Sequence, residues 1–268
     1  MKQLIAALGL SLGLMLSGCG GGTDGTASAS NTGMVALSLT DAPTDHEEIT
    51  GVFVTFTGIK YKYAHDDNGS EDNESEEKWQ QIDLNESRTI DLLTLQDGNT
   101  TLLQHVELPA GEIEKVRFVL DTTKCYIEIL GEPTPLNVPG GEETGLKSTN
   151  GFIIPQGGTV NLTADFDVRK SIAPRGHTGL YNLRPTIRLV NNIEVGEING
   201  TVNVDLNGSK AILYAYSDGT WDDNETNTTE DGLRFTNAVV STEVKDGEFA
   251  LHWLTTGIYD LVLVEHNI

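Results

Sequence analysis

The sequence predicts an all-β protein of two β-sandwich-like domains, carried behind an apolar leader and a flexible tether. Three observations lead there. After residue 33, apolar residues alternate with polar ones at period two along most of the chain, the pattern of strands with one buried and one wet face. Beyond the leader, no stretch sustains a 3.6-residue apolar period, so helices are not expected to carry a core. Clusters of Gly, Pro, Asn and Asp break the alternation at short intervals, as in antiparallel sandwiches or barrels. About 33 of the 268 residues belong to leader and tether, and the rest suffice for one large or two small cores.

The leader begins with Lys2, continues through an apolar run from Leu4 to Leu16, and ends in Leu16-Ser17-Gly18-Cys19. The run is too short to span a hydrocarbon core of roughly 30 Å. A positive start, a short apolar segment and small residues before a cut describe a secretory signal. The closing tetrapeptide resembles the lipobox of bacterial lipoproteins. That resemblance implies a cleaved signal over residues 1–18 and a lipid on Cys19, which becomes the first mature residue and anchors the exported chain to the membrane of the cell envelope. Gly20 rather than Asp follows Cys19, which by the same resemblance implies the outer membrane. Residues 19–32, with Gly20-Gly21-Gly22 and Thr26-Ala27-Ser28-Ala29-Ser30, have the composition of a flexible tether.

The first strand is set by Val35, Leu37 and Leu39, and Asp41-Ala42-Pro43 then marks a turn that the Asp41 side chain is expected to cap. Val52, Val54 and Phe56 share one face of the next strand, whereas Ile59, Tyr61 and Tyr63 fall on the opposite parity. A β-bulge at Gly58 would restore the register. Asp97-Gly98-Asn99 separates the apolar runs Ile90–Leu95 and Leu102–Val106 as a hairpin turn would. Pro109-Ala110-Gly111 introduces the inward row Val116, Phe118 and Leu120. Cys125 alternates with Ile127 and Ile129, so a buried, inert thiol is expected; with Cys19 lipidated it has no disulfide partner. Pro139-Gly140-Gly141 and Gly157-Gly158 are later breaks. The second opens a strand with Val160, Leu162, Ala164 and Phe166 inward, and Asn161, Thr163, Asp165 and Asp167 on the wet side.

Six motifs in this order carry a family resemblance: Ser38-Leu39-Thr40-Asp41-Ala42-Pro43, Trp79-Gln80-Gln81-Ile82-Asp83-Leu84, Asp91-Leu92-Leu93-Thr94-Leu95-Gln96-Asp97-Gly98, Leu108-Pro109-Ala110-Gly111, Thr144-Gly145-Leu146-Lys147 and Asp165-Phe166-Asp167-Val168-Arg169-Lys170-Ser171-Ile172. With Tyr181-Asn182-Leu183-Arg184-Pro185-Thr186-Ile187-Arg188 closing the series, the region 33–193 resembles the DUF4382 family of bacterial exported lipoproteins. The resemblance implies an exported domain and no activity, since the family is named for having none established. The pattern restarts at residue 195. In 195–268, Asp246-Gly247-Glu248-Phe249-Ala250-Leu251 and Leu254 through Val264 are similar to prealbumin-like or carboxypeptidase-regulatory-like sandwich modules. At about 74 residues, that module is expected to be minimal or incomplete.

The chain has 17 Lys+Arg against 40 Asp+Glu, a net charge of −23, which argues against DNA, RNA or anionic lipid as partners. Its six His residues are scattered, and the sequence has no His-Glu-x-x-His pair, Cys cluster, Gly-x-Ser-x-Gly elbow or phosphate-cradling Gly loop. No catalysis and no cofactor are expected. Two acidic loops offer weaker sites: residues 65–77, where Asp66, Asp67 and Asp72 are candidate Ca²⁺ ligands, and the loop of Trp221-Asp222-Asp223-Asn224, where an indole beside carboxylates could stack on a sugar. Each has a plainer reading, the first as a solvated hairpin insertion and the second as a loop that Trp221 pins to the sandwich. Trp253 shares parity with Phe249 and Leu251 and is expected in the core, and Trp79 on a wetter face or under a loop. The sequence is therefore expected to specify a lipid-anchored binding or scaffold protein of the cell envelope with an unknown envelope protein or glycan as partner. The alternatives are a carbohydrate- or Ca²⁺-binding surface module and, third, an enzyme acting on envelope polymers.

Overall fold

A computed structural model describes residues 31–44, 46, 48–64, 79–139, 146–147, 151–176, 178–184, 186–203 and 209–266. The strands are β1 (Thr32–Asp41), β2 (Ile49–Tyr63), β3 (Gln80–Asp91), β4 (Thr101–Pro109), β5 (Gly111–Leu120), β6 (Tyr126–Ile129), β7 (Glu132–Asn137), β8 (Leu146–Lys147) and β9 (Phe152–Ile154). They continue with β10 (Thr159–Phe166), β11 (Ile172–Pro174), β12 (Tyr181–Leu183), β13 (Ile187–Asn191), β14 (Val195–Thr201), β15 (Lys210–Ser217), β16 (Val240–Val244), β17 (Glu248–Thr255) and β18 (Tyr259–His266). One helical turn, α1 (Val168–Ser171), separates β10 from β11. The fold is all-β, as the alternation requires.

The larger unit packs a four-stranded sheet, β13-β10-β1-β4, on a second sheet ordered β11-β12-β7-β6-β2-β5-β8, with β3 on β2 and β9 on β5. The apolar rows read from the sequence face each other across these layers. Val35, Leu37 and Leu39 meet Val52, Val54, Phe56, Val116, Phe118, Leu120, Val160, Leu162, Ala164 and Phe166 in one buried cluster. The register of β2 slips between Phe56 and Gly58 against both β3 and β5. The bulge lets Phe56 and then Ile59 and Tyr61 all point inward. Cys125 is buried, with its thiol donating to the Asp121 carbonyl at 3.4 Å, and burial raises its pKa, as expected of an inert sulfur.

Two expectations fail here. The strands are not all antiparallel: β1 runs parallel to β10, and β12 parallel to β7. Alternation reports which face is buried and is the same for either strand direction, so it could not distinguish them. Asp97-Gly98 does not close a hairpin either. Leu92–Leu95 is a 3₁₀ turn capped by Asp91, and β4 leaves the Asp97-Gly98 turn to pair with β1. Asp97 and Gly98 do have positive φ, at 59° and 76°, so the local turn chemistry was right and the strand partner was wrong.

The smaller unit has two sheets, β14-β17 and β16-β15-β18. Ala211, Leu213, Ala215, Val240, Val244, Leu251 and Leu254 form its buried cluster, and a second cluster joins Ile212, Tyr214, Tyr216, Phe235 and Ala238 on the other face of β15. Asp246-Gly247, with φ of 54° and 79°, closes the β16–β17 hairpin between Lys245 and Glu248. Trp253 is not a core residue. Gly196 pairs with Leu254 and Ile198 with Leu251, so His252 and Trp253 together oppose one residue of β14. Trp253 takes φ 61° in that bulge. Leu254 resumes the inward row, and Trp253, half-buried, turns towards the larger unit.

Candidate functional site

The outer face of β10 starts wet at Asn161 and ends dry. Thr163 is fully buried, and Asp165 and Asp167 are each only 7% exposed. The expectation that this pair lines a solvated face is overturned. The parity was right, but the smaller unit lies over the far end of that face.

Three cations of the larger unit reach into the smaller one, and each donates to a backbone carbonyl there. Arg169 Nη1 donates to Phe235 O, Lys170 Nζ to Ala238 O at 2.5 Å, and Arg188 Nη1 to Trp253 O at 2.7 Å. Aspartates hold them in place. Asp167 Oδ2 accepts from Arg169 Nη2 at 2.8 Å and lies 3.3 Å from Lys170 Nζ, while Asp165 Oδ2 accepts from Arg188 Nη2 at 2.7 Å. The local chain explains the placement. Asp167 is the N-cap of α1, its Oδ1 accepting from Lys170 N at 3.3 Å, so one residue both starts the turn and pairs with the cations that the turn presents. Arg169 is 1% exposed, and its guanidinium lies 5.2 Å from the centre of the Tyr214 ring.

The Asp97-Gly98 turn adds a second point of contact. Lys245 Nζ reaches Asp97 Oδ2 at 2.5 Å, and Gly98 lies so close to His252 that a Cβ would meet the imidazole at 2.8 Å. Glycine is required there for both its positive φ and this approach. Arg184 and Asp231 pair at 2.8 Å on the exposed rim, where a salt bridge contributes little.

Asp41 does not cap only its own turn. Its Oδ1 accepts the backbone N–H of Val168 at 3.0 Å, and it is 5% exposed. Burial pushes its carboxyl well above the usual range; the Val168 bond opposes this, and neighbouring Asp167 and Asp165 add to it. Burial also raises Asp165, against the pull of Arg188. It would raise Asp167 too, but Arg169 and Lys170 override it and hold that carboxyl below its ordinary value.

The signs differ accordingly. A carboxyl raised in the folded state contributes stability below its unfolded value of 3.8 and loses that contribution as pH rises through the folded pKa. A lowered one, Asp167, contributes above 3.8 and loses its contribution as pH falls. Asp41→Asn keeps the Val168 bond and removes one raised carboxyl. Its thermal midpoint is expected to gain on the wild type steadily as pH rises above about 4. Parallel midpoint curves from pH 4 to 8 would show that Asp41 does not carry the proton.

Of the residues singled out from the sequence, Cys19, Asp66, Asp67 and Asp72 lie outside the described residues. Trp221 packs edge-to-face on Tyr216, with ring centres 4.9 Å apart, at the border of the Tyr214–Phe235 cluster. The adjoining loop is tied down by Glu225, which accepts from Asn237 N at 2.8 Å and Asn237 Nδ2 at 2.7 Å. This is the loop-pinning arrangement. Trp79 lies under the Arg117 guanidinium at 4.0 Å. Among the described residues, no three of His, Cys, Asp and Glu are placed to hold a metal ion, and no helix is long and apolar enough to cross a membrane.

Arg169, Lys170 and Arg188 carry the junction, yet nothing in their spacing names a role. The available signal was local: in a chain with few cations, Asp165-Phe166-Asp167-Val168-Arg169-Lys170 sets two acids beside two bases, and Arg188 sits between Ile187 and Leu189 in an apolar strand. Cations so placed in a strongly acidic protein indicate paired burial.

The model of a domain of unknown function, DUF4382, matches residues 32–185. The chain belongs to the DUF4382 family. The match contains Asp41, Asp97, Asp165, Asp167, Arg169 and Lys170 and stops before Arg188 and the smaller unit, so the DUF4382 region supplies most of the aspartates and cations that clasp the two units together. No curated protein matches the sequence. A crystal structure of a leucine-rich repeat protein from Bacteroides thetaiotaomicron aligns at 12% identity and a TM-score of 0.23, over 88% of this chain and 22% of that one. The chain thus spans about a fifth of that protein's length, and so low a score bears on neither fold nor function.

Proposed function

We propose that the protein is an exported binding or scaffold protein of the bacterial cell envelope, anchored through a lipid on Cys19, and that it performs no catalysis. The observation that carries this reading is the buried clasp. Three charged side chains of the larger unit, two of them within the DUF4382 match, are held by aspartates and bond to carbonyls of the smaller unit, an arrangement that favours one stiff body over two loosely tethered ones. The buried charges Asp165, Asp167 and Arg169 are committed to holding the units together, which suits a spacer or binding platform. Residues 19–32 supply the composition of a tether, and the net charge of −23 suits a solvated surface that attracts cations and repels polyanions. The smaller unit serves as a prealbumin-like outer module on that platform.

The test uses the full chain in a bacterial host. The wild type is expected in the outer-membrane fraction carrying labelled fatty acid, and Cys19→Ala is expected unlabelled and released. Cross-linking of the lipidated protein should then recover a reproducible envelope protein or glycan. Cys19→Ala retained in the membrane fraction would overturn the anchor, and an empty cross-linking result would remove the binding role.

A further inference from the structure

The three-stranded sheet of the smaller unit ends on an open edge. Among the described residues β18 pairs with β15 alone, in an unbroken antiparallel register from Lys210–His266 to Ser217–Tyr259. Its outer side therefore presents a row of backbone N–H and C=O groups, a template for another strand. The sheet's other end strand, β16, is buried at Val240, Ser241, Thr242 and Val244 and offers no such access. The side chains of β18 are those of an inner strand. Tyr259 and Leu263 pack towards the Leu213–Leu251 cluster, and Val262 and Val264 towards the Tyr214–Phe235 cluster. An apolar run on both faces marks a strand covered on both sides. Yet β15 is buried at every position from Ala211 to Tyr216, whereas no residue of β18 is buried and Leu261 is 42% exposed. Leu261-Val262-Leu263-Val264 also has none of the Lys, Pro or bulges that guard natural sheet edges.

We infer that the outer edge of β18 is a dimerisation surface, and that its partner is β18 of a second copy of this chain, paired antiparallel about Leu263. The strand is complementary to itself in that one register. A two-fold axis at Leu263 sets Leu263 against Leu263, Val262 against Val264, Leu261 against Glu265 and Asp260 against His266. Residues directly opposed on antiparallel strands share a face. The apolar face of each copy thus runs on into the same face of the other, and an acid meets an imidazole at each end. A slip of one residue joins unlike faces and opposes Asp260 to Glu265, which repel. A slip of two sets Asp260 against Val264, or Leu263 against Glu265. The net charge of −23 resists association, but at physiological ionic strength charges more than about 8 Å apart are largely screened. The paired strip therefore decides, and the two three-stranded sheets become one continuous sheet.

The inference stands whether or not the chain is an envelope scaffold. Sedimentation equilibrium of the purified full chain should give twice the mass of one copy. Leu261→Glu, at an exposed position, sets two carboxylates opposite each other at both ends of the strip and should halve that mass. Adding Glu265→Lys to it turns each repulsion into an ion pair and should restore the dimer. Leu261→Cys/Glu265→Cys tests the register directly. The two introduced thiols lie roughly 13 Å apart along one strand, too far for a disulfide within a chain, but directly opposite each other across the dimer. Mild oxidation should yield a covalent dimer of the double variant and of neither single variant. A wild type that remains a monomer at its highest soluble concentration would overturn the proposal. So would a dimer that survives Leu261→Glu, or a double variant that links no better than the single ones.

Discussion

Arg169→Met is expected to destabilise the protein by about 3–5 kcal/mol and to loosen the smaller unit from the DUF4382 region. Methionine fills much of the space of the arginine stem and removes its charge. What remains is the Asp167 carboxylate with only Lys170 beside it, and the Phe235 carbonyl without the donor it had in Arg169. The loss is large because Arg169 is 1% exposed and Asp167 is 7% exposed, so water cannot replace the missing partner. Urea denaturation measures the loss, and limited proteolysis between residues 192 and 203 should become faster. Arg169→Lys separates charge from geometry. A single ammonium lacks the planar fork that spans Asp167 and Phe235 O, so it should restore part of the stability and not the protease resistance. If Arg169→Met unfolds within 1 kcal/mol of the wild type, the clasp does not hold the units.

The second large effect lies in the main core. Phe118 on β5 is fully buried and meets Phe56 of β2 edge-to-face, with ring centres 6.0 Å apart and planes at 77°. Phe118→Ala removes the transfer energy of the ring and leaves a cavity between two sheets that cannot close without shifting β2. A loss of about 3–5 kcal/mol is expected, and Phe118→Leu should cost clearly less because most of the volume is kept. Chemical denaturation of the two variants side by side checks the order, and equal losses would mean that the site collapses around the substitution. Because Phe118 packs on Phe56 in the main core while Arg169 bonds to Asp167 and Phe235 at the junction, their effects should add in the double variant to within about 0.5 kcal/mol.

Much of the fold was legible because strand parity is a one-residue property. The rows Val35-Leu37-Leu39, Val116-Phe118-Leu120 and Val160 to Phe166 were assigned inward and are buried, and the parity change at Gly58 announced its bulge. The matching bulge at Trp253 was not legible. A glycine marks the first, whereas the second forces a tryptophan to φ 61° and leaves no compositional trace. The pairing of β4 with β1, and the parallel run of β1 beside β10, were hidden for a related reason. Alternation gives each strand a face and does not name its neighbour.

The candidate site was the least legible part, although its charged residues on the larger unit, Asp165, Asp167, Arg169, Lys170 and Arg188, all lie in the family-like motifs. Asp165 and Asp167 were placed on the correct face of β10, and that face looked wet because period-two patterning cannot tell water from a second layer of polar partners. Taken alone, the sequence determined the all-β class, the inward rows and the family, since each follows from residues near one another along the chain. Tertiary structure alone decided that the acidic face is a dry junction. That required Phe235, Ala238 and Trp253 to bring their carbonyls to Arg169, Lys170 and Arg188 from 65 to 68 residues away. A buried charge is tolerable only where such partners arrive, and where they arrive is set by how the two units pack.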